Sequence, residues 1–304
     1  MLRNVKDMEG YAILATDGDV GHVREFYFDD DKWVVRYLVV ESGSWLSHRK
    51  VLITPISVGR PDCAARVLPV SITRAQVKNS PDIDTDKPVS RQHEMDYLGY
   101  YGYPFYWGGA GIWGINTYPS MMTGSMGTTS GTVGYDGAAY AEHSQAQAQA
   151  AGSMTKADAD RRESGDPHLR SCEAVMKYHI EATDGGVGHV QSMLFDDETW
   201  AIRYLIVNTS NWWLGHEVLI APPLIESVSW GERSVSVKLT RKALKEAPPY
   251  DAAETLSREQ DLVLHGYPGG ESRSGAEGNR ETPKNPAAAP ASAANGGDIT
   301  HASH

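Results

Sequence analysis

The chain has 304 residues and a formal net charge of −11, a length that suits about two domains of ordinary size. Nucleic acid and anionic lipid both attract a concentrated basic surface. We therefore expect no direct contact with nucleic acid, and contact with a membrane only through a partner complex. Only two cysteines are present, and the sequence shows neither a signal peptide nor an apolar run of roughly 20 residues. These features predict a cytoplasmic protein.

The chain contains an internal repeat. Residues 11–55 align without a gap with residues 178–222, an offset of 167 positions, and 23 of the 45 aligned positions are identical. Average residue usage would give about three identities. The same offset continues from Thr73-Arg74 to Thr240-Arg241 and from Gly99-Tyr100 to Gly266-Tyr267. A constant offset over this length predicts two units with the same fold.

The composition between and after the repeats differs from that of the repeats. Residues 99–170 are first rich in glycine and aromatic residues and then in alanine and glutamine. Residues 268–304 consist mainly of Gly, Ala, Ser, Pro and Asn. We therefore predict a first domain at 4–98, a low-complexity linker at 99–170, a second domain at 171–267 and a disordered tail.

Each repeat has the periodicity of short strands. The hairpin dipeptides Asp17-Gly18 and Asp184-Gly185 precede a run of strand-forming residues, and Gly21 and Gly188 are interpreted as bulge positions. In the first repeat the predicted strands are 20–28, 33–40, 50–54 and 66–72, followed by a short helix that begins after Thr73 and ends at Lys78. Residues 240–247 repeat the helix. This pattern predicts a mostly β fold of two small closed barrels, each with a short C-terminal helix.

Two motifs resemble a known family. They are Asp17-Gly18-x-Val20-Gly21-x-Val23 and Trp33-x-x-Arg36-Tyr37-Leu38-Val39-Val40, and the second recurs with Arg203, Tyr204 and Leu205. These residues are similar to those of the PRC-barrel family, which includes the cytoplasmic domain of the photosynthetic reaction centre H subunit. The resemblance covers both repeats and neither the linker nor the tail.

The resemblance implies a module for binding and assembly. In the reaction centre the family's domain caps a membrane complex, and in a ribosome-maturation factor it contacts a ribosomal protein. Stand-alone bacterial members are the ones this chain resembles most. Three hypotheses follow, namely a protein-binding adaptor, a peripheral component of a photosynthetic or electron-transfer complex, and a factor associated with ribosomes or RNA processing.

Residues suited to chemistry are few. His22 and His189 recur in equivalent turns, but no carboxylate or cysteine is spaced to complete a zinc site around them. The run Asp29-Asp30-Asp31 lacks the alternating oxygens of a calcium loop, and we interpret it as a solvated hairpin turn. We therefore predict no catalytic residue, no metal site, no cofactor and no enzymatic activity.

Tryptophans in segments interpreted as loops are the candidate partner-binding residues. Trp45 aligns with Trp212, and Trp213 follows it. A tryptophan on a loop is a good anchor for a protein partner, while the alternative is that these rings cover a barrel mouth or pack between the barrels. The Tyr/Trp/Gly stretch after the first barrel has a similar alternative, in which it folds back over that barrel. The two barrels are also expected to pair with each other about a pseudo-twofold axis, or with a second copy of the chain. The leading hypothesis is a non-enzymatic adaptor.

Overall fold

The structure, a computed structural model, describes residues 1–81, 89–107, 109–125, 168–209 and 216–251. All of them lie in one compact unit, residues 1–269. None of the helices in these ranges is long and apolar enough to span a membrane. The predicted tail, 268–304, lies outside the described residues.

The first repeat begins with short elements and continues with two long strands. In chain order its elements are β1 (Leu2–Asn4), α1 (Val5–Met8), β2 (Ala12–Ala15), β3 (Gly18–Asp29), β4 (Val34–Ser42), a 3-10 helix (Ser44–Leu46), β5 (Lys50–Ile53), a 3-10 helix (Pro55–Ser57), β6 (Val67–Pro69), α2 (Arg74–Lys78), α3 (Arg91–Tyr101) and a 3-10 helix (Pro119–Ser125).

The second repeat follows a similar order up to its helix, with one additional strand, β12. Its elements are β7 (Leu169–Ser171), α4 (Cys172–Val175), β8 (His179–Ala182), β9 (Gly185–Asp196), β10 (Ile202–Asn208), β11 (Glu217–Ile220), a 3-10 helix (Pro222–Leu224), β12 (Ile225–Ser229), β13 (Ser234–Val237) and α5 (Arg241–Glu246).

The strands form two sheets, so the prediction of a mostly β fold is confirmed. The first sheet has the order β5-β4-β3-β2-β6, with β7 added on β3, and the second has the order β11-β10-β9-β8-β13-β12, with β1 added on β9. The pairs β2–β6 and β8–β13 are parallel and the others are antiparallel. Large buried residues of both repeats belong to one continuous apolar core.

The strand pairs in the described ranges do not close either sheet into the predicted barrel. In the first sheet a side chain makes hydrogen bonds to backbone groups of the edge strand β5 and of the residue that follows it. The buried Tyr97 hydroxyl of α3 donates to the carbonyl of Leu52 at 3.0 Å and accepts from the amide of Thr54 at 3.3 Å. Those groups are thereby satisfied without another strand, as buried backbone groups require.

The glycines that the sequence assigned to turns and bulges lie at the β2–β3 and β8–β9 hairpins. Gly18 and Gly185 have φ of 137° and 126°, which favours glycine because it has no Cβ. A Cβ on Gly21 would lie 2.0 Å from the carbonyl oxygen of Glu41, and one on Gly188 would lie 1.9 Å from that of Asn208. The register of both hairpins shifts near these glycines, so both repeats use the same bulge.

The hairpin aspartates also position the following helix. Asp17 Oδ1 accepts from the amide of Arg74, and Asp184 Oδ1 accepts from the amide of Arg241, each at 2.7 Å. These amides belong to the first residues of α2 and α5, both of which the sequence predicted. Hydrogen bonds of this kind satisfy amides that have no partner within the helix. The turn motif therefore fixes the end of each repeat.

Helix α3 was not predicted from the sequence, although most of it lies in the predicted first domain, 4–98. The helix begins after Ser90, whose side chain accepts from the amide of His93. The residues that follow lie in the predicted linker, yet Tyr106, Trp113 and Met122 are all buried. This stretch therefore packs against the protein, while residues 126–167 lie outside the described ranges. The domain boundaries at 98, 170 and 267 stay predictions.

Replacing Gly21 with alanine is expected to lower the free energy of unfolding by about 2 kcal/mol or more, because the new Cβ meets the Glu41 backbone and φ is unsuited to alanine. Urea unfolding followed by circular dichroism measures the loss. Gly231→Ala is the matched control, because a Cβ there meets nothing within 4 Å. Equal stability of the two variants would contradict this account of the bulge.

Candidate functional site

The family-motif arginine of the first repeat is the centre of a buried polar cluster. Arg36 lies on β4 with its side chain 1% exposed. Its Nη2 and Nε donate to Oδ2 of Asp29 at 3.0 and 3.3 Å. Asp29 ends β3 and is itself buried. The β3–β4 hairpin therefore carries a charge pair inside the protein, where removal of either partner leaves a buried charge unpaired.

Residues 102–107 and 109–118, here called the aromatic segment, complete the shell around this arginine. The Arg36 guanidinium lies 4.0 Å from the ring centre of Tyr106 and 4.6 Å from that of Trp113. Its Nη1 donates to the carbonyl of Ile112 at 2.6 Å. Aromatic faces attract cations because of their quadrupole, and more strongly where water is excluded. Arg36 thus holds the aromatic segment against the first sheet through these contacts.

A second carboxylate joins this cluster from α3. Glu94 is fully buried, and its Oε1 accepts from the Tyr106 hydroxyl. Its Oε2 lies 2.7 Å from Nε2 of His168 and 3.2 Å from Nη1 of Arg91. His168 immediately precedes β7, so the cluster joins the first sheet, α3, the aromatic segment and the start of the second repeat.

Burial and the charges of the cluster change the pKa values of its ionisable side chains. Burial acts to raise the pKa of Asp29, but the Arg36 guanidinium, the His168 charge and hydrogen bonds together hold that pKa below its usual value. Burial, followed by the charge of Glu94, raises the pKa of Tyr37 and of Tyr106 well above the ordinary value. Both phenols therefore stay protonated at neutral pH, and that of Tyr106 serves as a donor.

The cluster also reaches into the second repeat. The Trp113 indole Nε1 donates to the carbonyl of Thr199 at 2.8 Å, and Thr199 lies in the turn between β9 and β10. The aromatic segment, which the sequence assigned to a linker, thus bridges the two repeats.

The two repeats exchange their first strands. β1 of the first repeat pairs with β9 of the second, and β7 of the second pairs with β3 of the first. Each residue of β1 has its counterpart in β7 at the offset of 167, and the two registers are equivalent. Two ion pairs are exchanged in the same way, each joining the first strand of one repeat to the other repeat. Arg3 Nε lies 2.9 Å from Asp197 Oδ2, and Arg170 Nε lies 2.8 Å from Asp30 Oδ2.

The strands β4 and β10 meet in the same reciprocal way. The amide of Val35 donates to the carbonyl of Trp200 at 2.9 Å, and the amide of Ile202 donates to that of Trp33 at 2.7 Å. Both tryptophans have positive φ, 53° and 61°, an uncommon conformation for a bulky residue. The same positive φ occurs at equivalent positions of the two repeats, so the contact between β4 and β10 is approximately symmetric.

These contacts correct the interpretation of the acidic turn. The sequence predicted that Asp29-Asp30-Asp31 is a solvated hairpin, but Asp29 is buried against Arg36 and the Asp30 side chain is 3% exposed beside Arg170. Only Asp31 is exposed. The turn therefore serves as an anchor for two arginines, one from each repeat.

The predicted partner-binding tryptophans have different outcomes. Trp45 is partly buried, its Nε1 donates to the carbonyl of Val20 at 2.7 Å, and the Arg74 guanidinium lies 4.3 Å from its ring centre. The structure therefore places Trp45 against its own repeat, and a role in partner binding stays a prediction. Trp212 and Trp213 lie outside the described residues.

The family-motif residues lie where the sequence placed them, on matching strands. Arg36, Tyr37 and Leu38 are in β4, and Arg203, Tyr204 and Leu205 are in β10. Four residues of the buried cluster were not predicted from the sequence as site residues: Glu94, Tyr106, Trp113 and His168. The available indications were an Arg91–Glu94 pair at helical spacing and the density of aromatic residues after it.

Replacing Arg36 with leucine is expected to lower the free energy of unfolding by about 3–5 kcal/mol, because Asp29 then stays buried without its partner. Urea unfolding measures the change, and near-ultraviolet circular dichroism reports whether the aromatic segment stays docked. Arg24→Leu is the control: Arg24 is 64% exposed and pairs with Glu41 at the surface, so about 1 kcal/mol or less is expected. Similar losses in both variants would contradict the anchoring role.

The lowered pKa of Asp29 predicts a loss of stability in acid. Its contribution is complete above the ordinary carboxyl pKa of 3.8 and disappears as the pH falls through its lower value in the folded state. Urea unfolding between about pH 5 and pH 2 should show a shallower acid dependence for Asp29→Asn than for the wild type. Asp7→Asn, at an exposed position of α1, is the control and should keep the wild-type slope. A wild-type slope in Asp29→Asn would rule out this carboxylate as a source of the dependence.

Comparisons with known proteins agree with the first motif. The family model of the PRC-barrel domain matches residues 2–65, which run from β1 to the segment before β6. The search of curated proteins found no match. The motif residues Asp17, Gly21 and Arg36, with the bulge and the buried pair that they form, lie inside the matched range. The first part of this chain therefore contains a PRC-barrel domain.

Proposed function

We propose that the protein is a non-enzymatic binding module in which two PRC-type domains act together as an adaptor for protein partners. The observation that supports this proposal best is that every buried charged residue in the described part of the chain is paired with an opposite charge. Asp29, Arg36 and Glu94 are the buried charged residues in the described part of the chain. Each is held by an opposite charge. Because loss of one partner from a buried pair strongly destabilises a protein, the proposal assigns these groups to the structure.

The second repeat is proposed to be a second domain of the same type, although the family model matches only the first. Its support is the equivalence of details that packing alone would not reproduce. Both repeats have the bulge glycine against a backbone carbonyl, the hairpin aspartate on a helix amide, and the tryptophan with positive φ. Divergent copies of one fold would retain such backbone constraints.

The pairing of the repeats supports a composite binding surface. Exchange of β1 and β7, together with two reciprocal ion pairs, brings the β3–β4 hairpin of one repeat against the first strand of the other. A partner that recognises this junction would contact residues of both repeats at once. Such a surface exists only when the two copies are together, which gives a reason for their presence in one chain.

The test is affinity capture with the intact protein from its native cells, with bound proteins identified by mass spectrometry. Loss of the same partners in the Trp212→Ser/Trp213→Ser variant, with retention in the Met121→Ser control, would support the adaptor role and the tryptophan prediction. Met121 is chosen because it is an exposed apolar residue elsewhere on the protein. Partners from a photosynthetic membrane complex or from the ribosome would favour one of the two alternative hypotheses.

The proposal fails if the wild-type protein retains nothing in this experiment and instead converts a small molecule. Retention of the same partners by an Arg36→Leu variant whose aromatic segment has undocked would separate the binding surface from the buried cluster, and would place it on the second repeat or at the tryptophans.

A further inference from the structure

We propose that the outer edge of β12 in the second repeat binds an extended segment of a protein partner, which adds to the second sheet as a further strand. The outer edge of a terminal strand has backbone N–H and C=O groups that no neighbouring strand uses, and extended peptides bind to such edges in many recognition domains. The inference deepens the proposed function and rests on it, because it names the kind of segment that the adaptor would hold.

The position of β12 in the sheet leaves one of its edges open. It is the last strand of the second sheet, and among the described strands it pairs only with β13. This pairing extends over the strand from Ile225 to Ser229, so the inner edge is already in use. Glu226 and Ser227 are exposed, and β12 therefore lies at the surface of the protein.

A groove lies along the open edge of β12. Four consecutive residues of the strand, from Ile225 to Val228, line this groove. Successive side chains of a strand point to opposite faces of the sheet, so a groove that all four residues line runs along the edge of the strand and not across one face. Because β13 occupies the inner edge, the groove lies at the outer edge, where a further strand would add.

The opposite wall and the size of the groove favour a single extended segment. Asp30 and Trp33, from the β3–β4 hairpin of the first repeat, also line the groove. Its volume is about 240 Å³, below the range of about 300–1,000 Å³ for pockets that enclose a drug-sized ligand. The wall on the far side leaves less room for the edge of a second folded copy than for one strand.

The equivalent edge of the first repeat is protected against such an addition. Residues 58–62 correspond to β12 at the offset of 167, and they make two isolated bridges to β6 and its next residue. Among them lies Pro61, where the second repeat has Val228. Proline has no N–H to donate, and proteins use it on edge strands to prevent pairing. The two copies thus differ in the protection of this edge, which indicates a specific use of β12.

The test uses the full-length protein labelled with nitrogen-15 and a peptide with the sequence of residues 234–239, acetylated and amidated at its ends. This probe contains the sequence of β13, which already pairs with β12 on the inner side, so its side chains are compatible with that strand. The expected result is a saturable shift and slower hydrogen exchange of the β12 amides. The amides between residues 58 and 62 are the internal control and should not respond.

Two methylated forms of the peptide test whether backbone hydrogen bonds carry the binding. Alternate amides of a strand point to the same edge. Methylation of the two valine amides therefore blocks one edge of the peptide, and methylation of the second serine and the lysine amides blocks the other. One form should bind about tenfold more weakly than the other, because it loses two hydrogen bonds to β12. Equal affinities of the two forms, or no saturable shift of β12 with the unmodified peptide, would overturn the proposal.

A reciprocal pair of variants tests the role of the proline. Val228→Pro transfers the residue of the first repeat to β12 and should remove the saturable shift, whereas Pro61→Val makes the reverse change and should leave the affinity of β12 unchanged. Circular dichroism reports whether each variant is folded, and the methylated peptides decide the question if Val228→Pro unfolds. Wild-type binding by a folded Val228→Pro variant would contradict strand addition.

These results are distinguishable from those of the capture experiment. Binding that depends on which edge of the peptide is methylated supports strand addition even if the capture experiment retains no protein. Captured partners together with equal affinities of the two methylated forms would leave the adaptor role intact and remove the added strand. Shifts of the β12 amides on raising the protein concentration alone would assign the edge to a second copy of the chain and overturn the proposal of a partner segment.

Discussion

The exchange of first strands between the repeats is the constraint on which the rest of the structure depends. β3 is paired over its last residues by β7, and β9 is paired over its last residues by β1. Each sheet therefore contains a strand that its own repeat does not supply. The ion pairs of Arg3 and Arg170 follow directly, because each lies on an exchanged strand and meets an aspartate of the opposite hairpin. The repeats form one unit because neither completes its sheet alone.

Within this shared frame the two copies have diverged in their polar interiors. Asp29 binds the fully buried Arg36, whereas the equivalent Asp196 binds the amino group of Met1 and the side chain of Thr199. Arg203, the equivalent of Arg36, is only partly buried. The backbone features were thus retained in both copies, while the charge cluster with α3 and the aromatic segment was built on the first.

The sequence predicted those parts of the fold that local physics determines. Glycines at a turn and a bulge, Thr73 and Thr240 at helix starts, and the β-branched run of β4 each depend on neighbours within a few residues. Their structures were correctly located. Strand 20–28 extends further than predicted, to Gly18–Asp29. Strand 33–40 is observed as Val34–Ser42, without Trp33, which adopts positive φ, and with two more residues at its end.

What the sequence did not predict depends on contacts between distant segments. Composition alone makes glycine-rich and aromatic residues look like a linker. Tyr106 and Trp113 pack here because of contacts with distant residues, namely Arg36 with both rings, Glu94 with the Tyr106 hydroxyl and the Thr199 carbonyl with the Trp113 indole. Glu94 and His168 are 74 positions apart in the chain, so no local pattern brings them together. Closure of the barrel was expected from the strand count, but Tyr97 satisfies edge groups of β5 instead.

The exchanged strands have a consequence for synthesis on the ribosome. The edge of β3 that pairs with β7 cannot be covered until residues 169–171 have left the exit tunnel, long after the rest of the first sheet is available. Contacts between residues this far apart form slowly, and during the delay an open edge is a template for strands of neighbouring nascent chains. Because the chain is made from its N-terminus, the first repeat is nearly complete for a period in which the edge of β3 can still pair with the wrong strand. Pairing with β7 ends that period.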